Sequence, residues 1–164
     1  QRLRAAGVAV EGGDHQRRVV PAVALVHLHL RGEQRVDGRG AARARSGDAE
    51  GSFDGYKALF ERPEFIDNRP EDQRQALKLL VLAKHTGPKS EKLIEAHRSA
   101  IAPLTELVSK YNEPADYEML GVCHVRIGNA EAAANMFREG LTLERAKNSG
   151  SDLCGRLMTR ISGL

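Results

Sequence analysis

The chain has 164 residues, 41% hydrophobic and 29% charged, with a formal net charge of +3. That is a globular composition, with room for one ordinary domain or two small ones. It excludes a membrane helix, because no apolar run approaches roughly 18 residues and the longest candidate, 19–30, is interrupted by Pro21, His27 and His29. It also excludes a basic nucleic-acid-binding domain, because the whole charge excess lies in residues 1–50, with nine Arg, no Lys and six acids, while residues 51–164 are neutral.

Residues 1–52 read as a low-complexity leader rich in Arg, Gly, Ala and Val. Up to position 50 every residue except Ser46 is an amino acid whose codons can begin with C or G. Two readings fit. One is a natural disordered or weakly structured tail; the other is a mistranslated region, a GC-rich stretch read in the wrong frame or strand. Aligning the encoding DNA in all frames separates them. Residues 19–30 are β-branched and could pair as a hairpin with Ala6–Val10 across 11–14. His27 and His29 then share a strand face, but with only His15 nearby a metal site is not expected. With no Met at Gln1, a fragment or trimmed product is expected, without a secretory signal.

From Phe53 onward the pattern is helical. Phe53, Tyr56, Leu59 and Phe60 define a short amphipathic helix that Pro63 ends. Pro70 opens a second helix, with Glu71 and Asp72 at its positive end. Ala76, Leu77, Leu79, Leu80, Val81, Leu82 and Ala83 make that helix apolar on most sides, and Gly87-Pro88 terminates it. Ser90 caps a third helix with the stripe Leu93, Ile94, His97, Ile101 and Leu104. Pro103 is expected to kink it or to split off a last segment reaching Tyr111. A fourth helix runs from about Ala115 to Ile127 and stops at Gly128. A fifth, capped by Asn129, covers about Ala130–Ala146. A sixth starts at Ser151 or Asp152 and carries Leu153, Leu157, Ile161 and Leu164. Nothing after Phe53 reads as a strand.

Within the 34 residues of Pro114–Lys147 stand Tyr117, Leu120, Gly121, His124, Gly128, Ala133, Phe137, Gly140 and Leu141. This spacing resembles a tetratricopeptide repeat (TPR), in which two helices cross closely at small residues and aromatics fill the wider gaps. Gly121 and Ala133 stand where the crossing is tight, Tyr117, Leu120, Phe137 and Gly140 complete the packing positions, and Gly128 allows the turn. The chain departs from the family pattern in having His124 for the usual Tyr and no closing Pro near Arg145. Residues 73–110 fit the pattern in degenerate form. The resemblance implies an all-α fold over 53–164, with antiparallel helix pairs stacked as a short TPR-like α-solenoid.

TPR proteins generally bind other proteins or peptides in a concave groove lined by first helices. Carried over by position, the groove residues here are Arg74, Leu77, Val81, Lys84, His85, Glu118, Val122, Val125 and Arg126. Glu118 and Val122 stand where the carboxylate-gripping subfamily has Lys and Asn. A helix or mixed peptide is therefore the expected partner rather than a peptide C-terminus. The competing reading is a helical bundle whose groove is filled by its own terminal helix.

Catalysis is not expected. Cys123 and His124 are adjacent, so on a helix they point about 100° apart. Cys123 falls at a core position, and with Cys154 it forms no expected disulfide in a cytoplasmic protein. Glu61, Glu64, Asp67, Glu71 and Asp72 are interleaved with Arg62, Arg69 and Arg74, as in a solvated ion-paired loop. No phosphate-binding loop, metal spacing or cofactor motif is present. The expected role is a non-catalytic interaction module, without nucleic acid or membrane. The alternatives are a structural segment of a larger protein whose activity lies elsewhere, and a leader that binds anionic polymers.

Overall fold

The computed structural model describes residues 49–85 and 90–164. They form six α-helices and one 3-10 turn, without a strand among the described residues. The helices are α1 (Ala49–Phe60), α2 (Pro70–Val81), α3 (Glu91–Tyr111), α4 (Pro114–Arg126), α5 (Ala130–Asn148) and α6 (Asp152–Ser162); the turn is Pro63–Phe65. The expectations for a leader hairpin, for His15, His27 and His29, and for a stop at Gly87-Pro88 fall outside the described residues.

Phe53, Tyr56 and Phe60 bury one face of α1, the i, i+3, i+7 spacing of a helix that meets its neighbour along a single stripe. The Phe60 ring stacks on Tyr56 at 5.9 Å and meets Phe65 edge-on at 5.2 Å. Phe65 thereby anchors the turn. The Gln73 side-chain amide on α2 ties the turn down, donating to the Ile66 and Asn68 carbonyls at 2.9 and 2.7 Å. Pro70 takes the first turn of α2, where its missing N–H costs nothing.

The Ser90 hydroxyl accepts from the Leu93 N–H and caps α3, which buries Leu93, Ala96, His97, Ala100, Leu104 and Leu107. Asn112 ends α3 in the left-handed region at φ 51°, and its side chain accepts from the Tyr117 hydroxyl at 2.8 Å. Asn129 and Ser151 cap α5 and α6, accepting from Ala132 and Cys154 N–H groups at 3.1 and 3.2 Å. Each cap satisfies a helix donor that would otherwise face water alone. Gly128, at φ +86°, makes the α4–α5 turn in a conformation that a Cβ would strain.

α4 packs most extensively on α5 and next on α3; α3 also carries α1, and α5 carries α6. α2 touches both α3 and α4 more lightly. One apolar cluster runs from Phe53 on α1 to Leu157 on α6.

Several boundaries differ from the sequence reading. α1 starts at Ala49, inside the segment assigned to the leader. α2 stops at Val81, and Leu82 and Ala83 are exposed rather than on an apolar helix face. α3 continues through Pro103 without splitting. Proline removes one intrahelical donor, and here the ring itself is buried against the core. Leu164 lies beyond α6 and is exposed.

Gly155, on α6, tests helix formation at the chain's end. An added Cβ there meets nothing within 4 Å. Alanine is favoured over glycine in a helix interior by about 1 kcal/mol. Gly155→Ala is expected to raise the melting temperature by a few degrees, read by thermal unfolding. A melting point at or below wild type would show that α6 gains nothing from helix propensity at that site.

Candidate interaction surface

The packing residues of the α4–α5 pair come together. Gly121 lies against the Phe137 ring, so close that a Cβ would sit under 3.0 Å from three ring carbons. Gly140 approaches Tyr117 Cβ and the Pro114 carbonyl in the same way, at 2.9 and 3.2 Å from a Cβ position. Ala133, Leu120, Tyr117 and Phe137 are buried around these two points. The helices meet at two glycines on opposite partners, about one turn apart, which lets their axes approach closely there.

The nine residues expected to line a groove divide by exposure. Leu77, Val81, Glu118 and Val122 are buried among the chain's own helices. Arg74, His85 and Arg126 are half-buried, and Lys84 and Val125 are exposed. Exposed Leu82 follows α2 next to Lys84. Apart from Arg74, which is engaged with Asp116, the accessible members gather after the C-terminal end of α2 and at the C-terminal end of α4.

Two buried carboxylates on α4 went unread in the sequence as a pair. Asp116 and Glu118 are two residues apart, which turns them about 200° around the helix, so each faces a different neighbour. Asp116, with no exposed surface, takes a bidentate pair from Arg74 of α2: Nε donates to both carboxylate oxygens at 3.0 Å, and Nη2 donates to Oδ2 at 2.8 Å. Arg74 also lies over the Tyr111 ring at 5.0 Å. The Asp116 hydrogen bond raises the Arg74 pKa further above its ordinary value.

Glu118 is held from the other side by α6. Arg156 donates from Nε and Nη2 at 3.1 and 3.0 Å, and Arg160 donates from Nε at 2.9 Å. Burial pushes the Glu118 carboxyl up, but hydrogen bonds from the two arginines outweigh it and hold the pKa below the ordinary value. α4 is therefore tied to α2 on one side and to α6 on the other by charge-assisted bonds. Asp116, Arg156 and Arg160 were not among the expected site residues. Their only trace in the sequence is acid and base placed next to apolar stripe positions, which surface residues share.

The acidic segment between α1 and α2 is largely exposed, with Arg69 paired to Asp72 at 3.0 Å. Arg74 leaves that cluster for Asp116. Cys123 is fully buried, its thiol pushed up to about 12 by desolvation, and both cysteines are free. Among the described residues no group of three potential ligands could hold a metal ion, and no helix is long and apolar enough to cross a membrane.

Over the described residues these features define an all-helical fold built on a central helix clasped from two sides. Comparison with family models, with curated proteins and with solved structures finds no match for this chain.

Proposed function

We propose that the helices form a short TPR-like α-solenoid acting as a non-catalytic protein-interaction module, a scaffold or adaptor that takes a peptide or helix of another protein. The observation that carries this is the paired close approach at Gly121–Phe137 and Gly140–Tyr117, at the spacing that resembles the repeat. The partner would meet Lys84, His85, Val125 and Arg126, the accessible members of the expected groove, and not Leu77, Val81, Glu118 or Val122. A non-catalytic role fits the burial and raised pKa of Cys123, which suit a core thiol and not a nucleophile. The free, buried cysteines fit a reducing compartment, and the proposal places the protein in the cytoplasm.

The test is selection of binding peptides by the full chain from a random display library, followed by affinity measurement with the selected peptides made synthetically. Val125→Asp with Arg126→Glu is expected to weaken them at least about tenfold, the loss of an interface contact worth more than 1 kcal/mol. Failure to select a peptide, or equal affinity for the double variant, overturns the groove.

One observation favours a second reading. α6 covers the Glu118 face of α4 with Arg156 and Arg160, so the chain supplies its own helix to part of the expected groove. On that reading these helices are a structural segment of a larger protein.

A further inference from the structure

His97 sits on α3 without exposed surface, at the place where α1, the residues after α2, and α4 converge. Its Nδ1 donates to the Leu93 carbonyl at 2.7 Å. That bond fixes the neutral tautomer and leaves Nε2 as an acceptor, and Nε2 is buried with no partner. The ring stands edge-on to His85 at 5.9 Å, and His85 stands edge-on to Phe53 of α1 at 5.4 Å. His85 is itself held by the Leu80 carbonyl at 2.8 Å.

The charges acting on His97 are Arg126 from α4 and His85 from the residues after α2, both cationic when charged. The nearby acids of α1 and α3 are engaged elsewhere: Asp54 with Lys92 at 2.8 Å, and Glu95 with Lys57 at 3.4 Å. A proton on Nε2 would create a donor with no acceptor and a cation facing Arg126, out of reach of water. The closed junction accommodates only the neutral ring.

We propose that the Phe53–His85–His97 contact is an acid-opened joint: protonation of His97 releases α1 from α3 while α4, α5 and α6 stay folded. The release is local because α1 packs on α3 and the 3-10 turn, whereas the buried ion pairs tie α4 to α2 and α6. Desolvation, with Arg126 and His85 adding to it, lowers the His97 pKa from 6.5 to about 4 in the folded chain, against the single backbone bond that raises it. A folded-state pKa below the unfolded one means the closed form binds fewer protons. Its stability is full above pH 6.5 and falls as pH drops from 6.5 to 4. Glu118 does not share that window, since a lowered carboxyl pKa weakens the fold only below about its ordinary 4.5. His124 of α4 also has its pKa lowered by desolvation and shares the window, so a change at His97 itself, and not pH 5 alone, isolates this ring.

The experiment is hydrogen exchange of the full chain at pH 7 and pH 5, corrected for intrinsic rates. The open population of α1 is expected to rise about twentyfold, with amides of α5 unchanged. In His97→Met the α1 response to pH should vanish. Should that variant not fold, imidazole nitrogen shifts in the wild type decide: His97 is expected to titrate about two units below the exposed value, together with loss of α1 protection. Equal loss in α1 and α5, no loss in α1, or a His97 titration near 6.5 overturns the joint.

Discussion

Gly121→Val is expected to destabilise the chain by about 3 kcal/mol, the upper range for overpacking a closed core. The position is helical, so a side chain brings some gain in propensity; for alanine over glycine that gain is about 1 kcal/mol. The loss is larger because the space is taken by the Phe137 ring, itself 1% exposed, with three carbons closer than 3.0 Å to any added Cβ. The ring has no room to swing away, since Phe137 belongs to the same buried cluster as Leu120, Ala133 and Leu157. The two helices must therefore separate, and their separation uncovers Phe137 as well. Gly121→Ala should lie between, with a net cost of about 1–2 kcal/mol after the propensity gain is subtracted. Urea titration measures both. A value for Gly121→Ala at or above wild type would show that α4 and α5 do not cross here.

Gly121 was legible as a point of close approach because steric need leaves a mark, but its neighbour was not: the sequence reading sets it against Ala133 and Phe137 in a wider gap, whereas the Phe137 ring fills the space at Gly121. A glycine inside an apolar helix, 16 residues before an aromatic on the next helix, has few reasons to be there other than close approach. The apolar stripes of α1, α3 and α6 were legible for a similar reason: burial on one face repeats every three or four residues. The end of α2 was not. Leu82 and Ala83 continue an apolar run, yet the helix stops before them, since composition fixes hydrophobicity and not whether a neighbour exists to cover it. The hardest features to read were the ion pairs. Glu118 stands in the sequence like any groove carboxylate, and its partners lie 38 and 42 residues away. Nothing local distinguishes a carboxylate that faces water from one that a later helix seals in. The same holds for His97, whose position on an apolar stripe was plain while its unpartnered nitrogen was not.

The Glu118 cluster carries the other large effect, and its sign depends on which partner is removed. Glu118 has 1% of its side chain exposed, whereas Arg156 and Arg160 have 52% and 34%. Glu118→Gln removes the buried charge and leaves two arginines that can turn back into water, so the cost should stay near about 1–2 kcal/mol. Arg156→Ala with Arg160→Ala does the reverse: it leaves a carboxylate enclosed without counter-charge, a situation that costs about 3–5 kcal/mol. The stranded carboxylate also escapes by taking up a proton, since burial then acts on it unopposed. The double variant should therefore lose less stability, relative to wild type, as pH falls from 7 toward 4. In the wild type the sign is opposite: the arginines hold the Glu118 pKa low, so its contribution is present above the unfolded value and disappears as pH drops through the folded one. Adding Glu118→Gln to the double alanine variant should restore most of the loss at pH 7, because a neutral amide tolerates the same enclosure better than a charge does. Urea unfolding of the four proteins at pH 7 and pH 5 measures all of this. If the double alanine variant is no less stable than Glu118→Gln, or if the third substitution rescues nothing, then the ion pairs from α6 are not what seals Glu118, and α6 is held by its packing on α5.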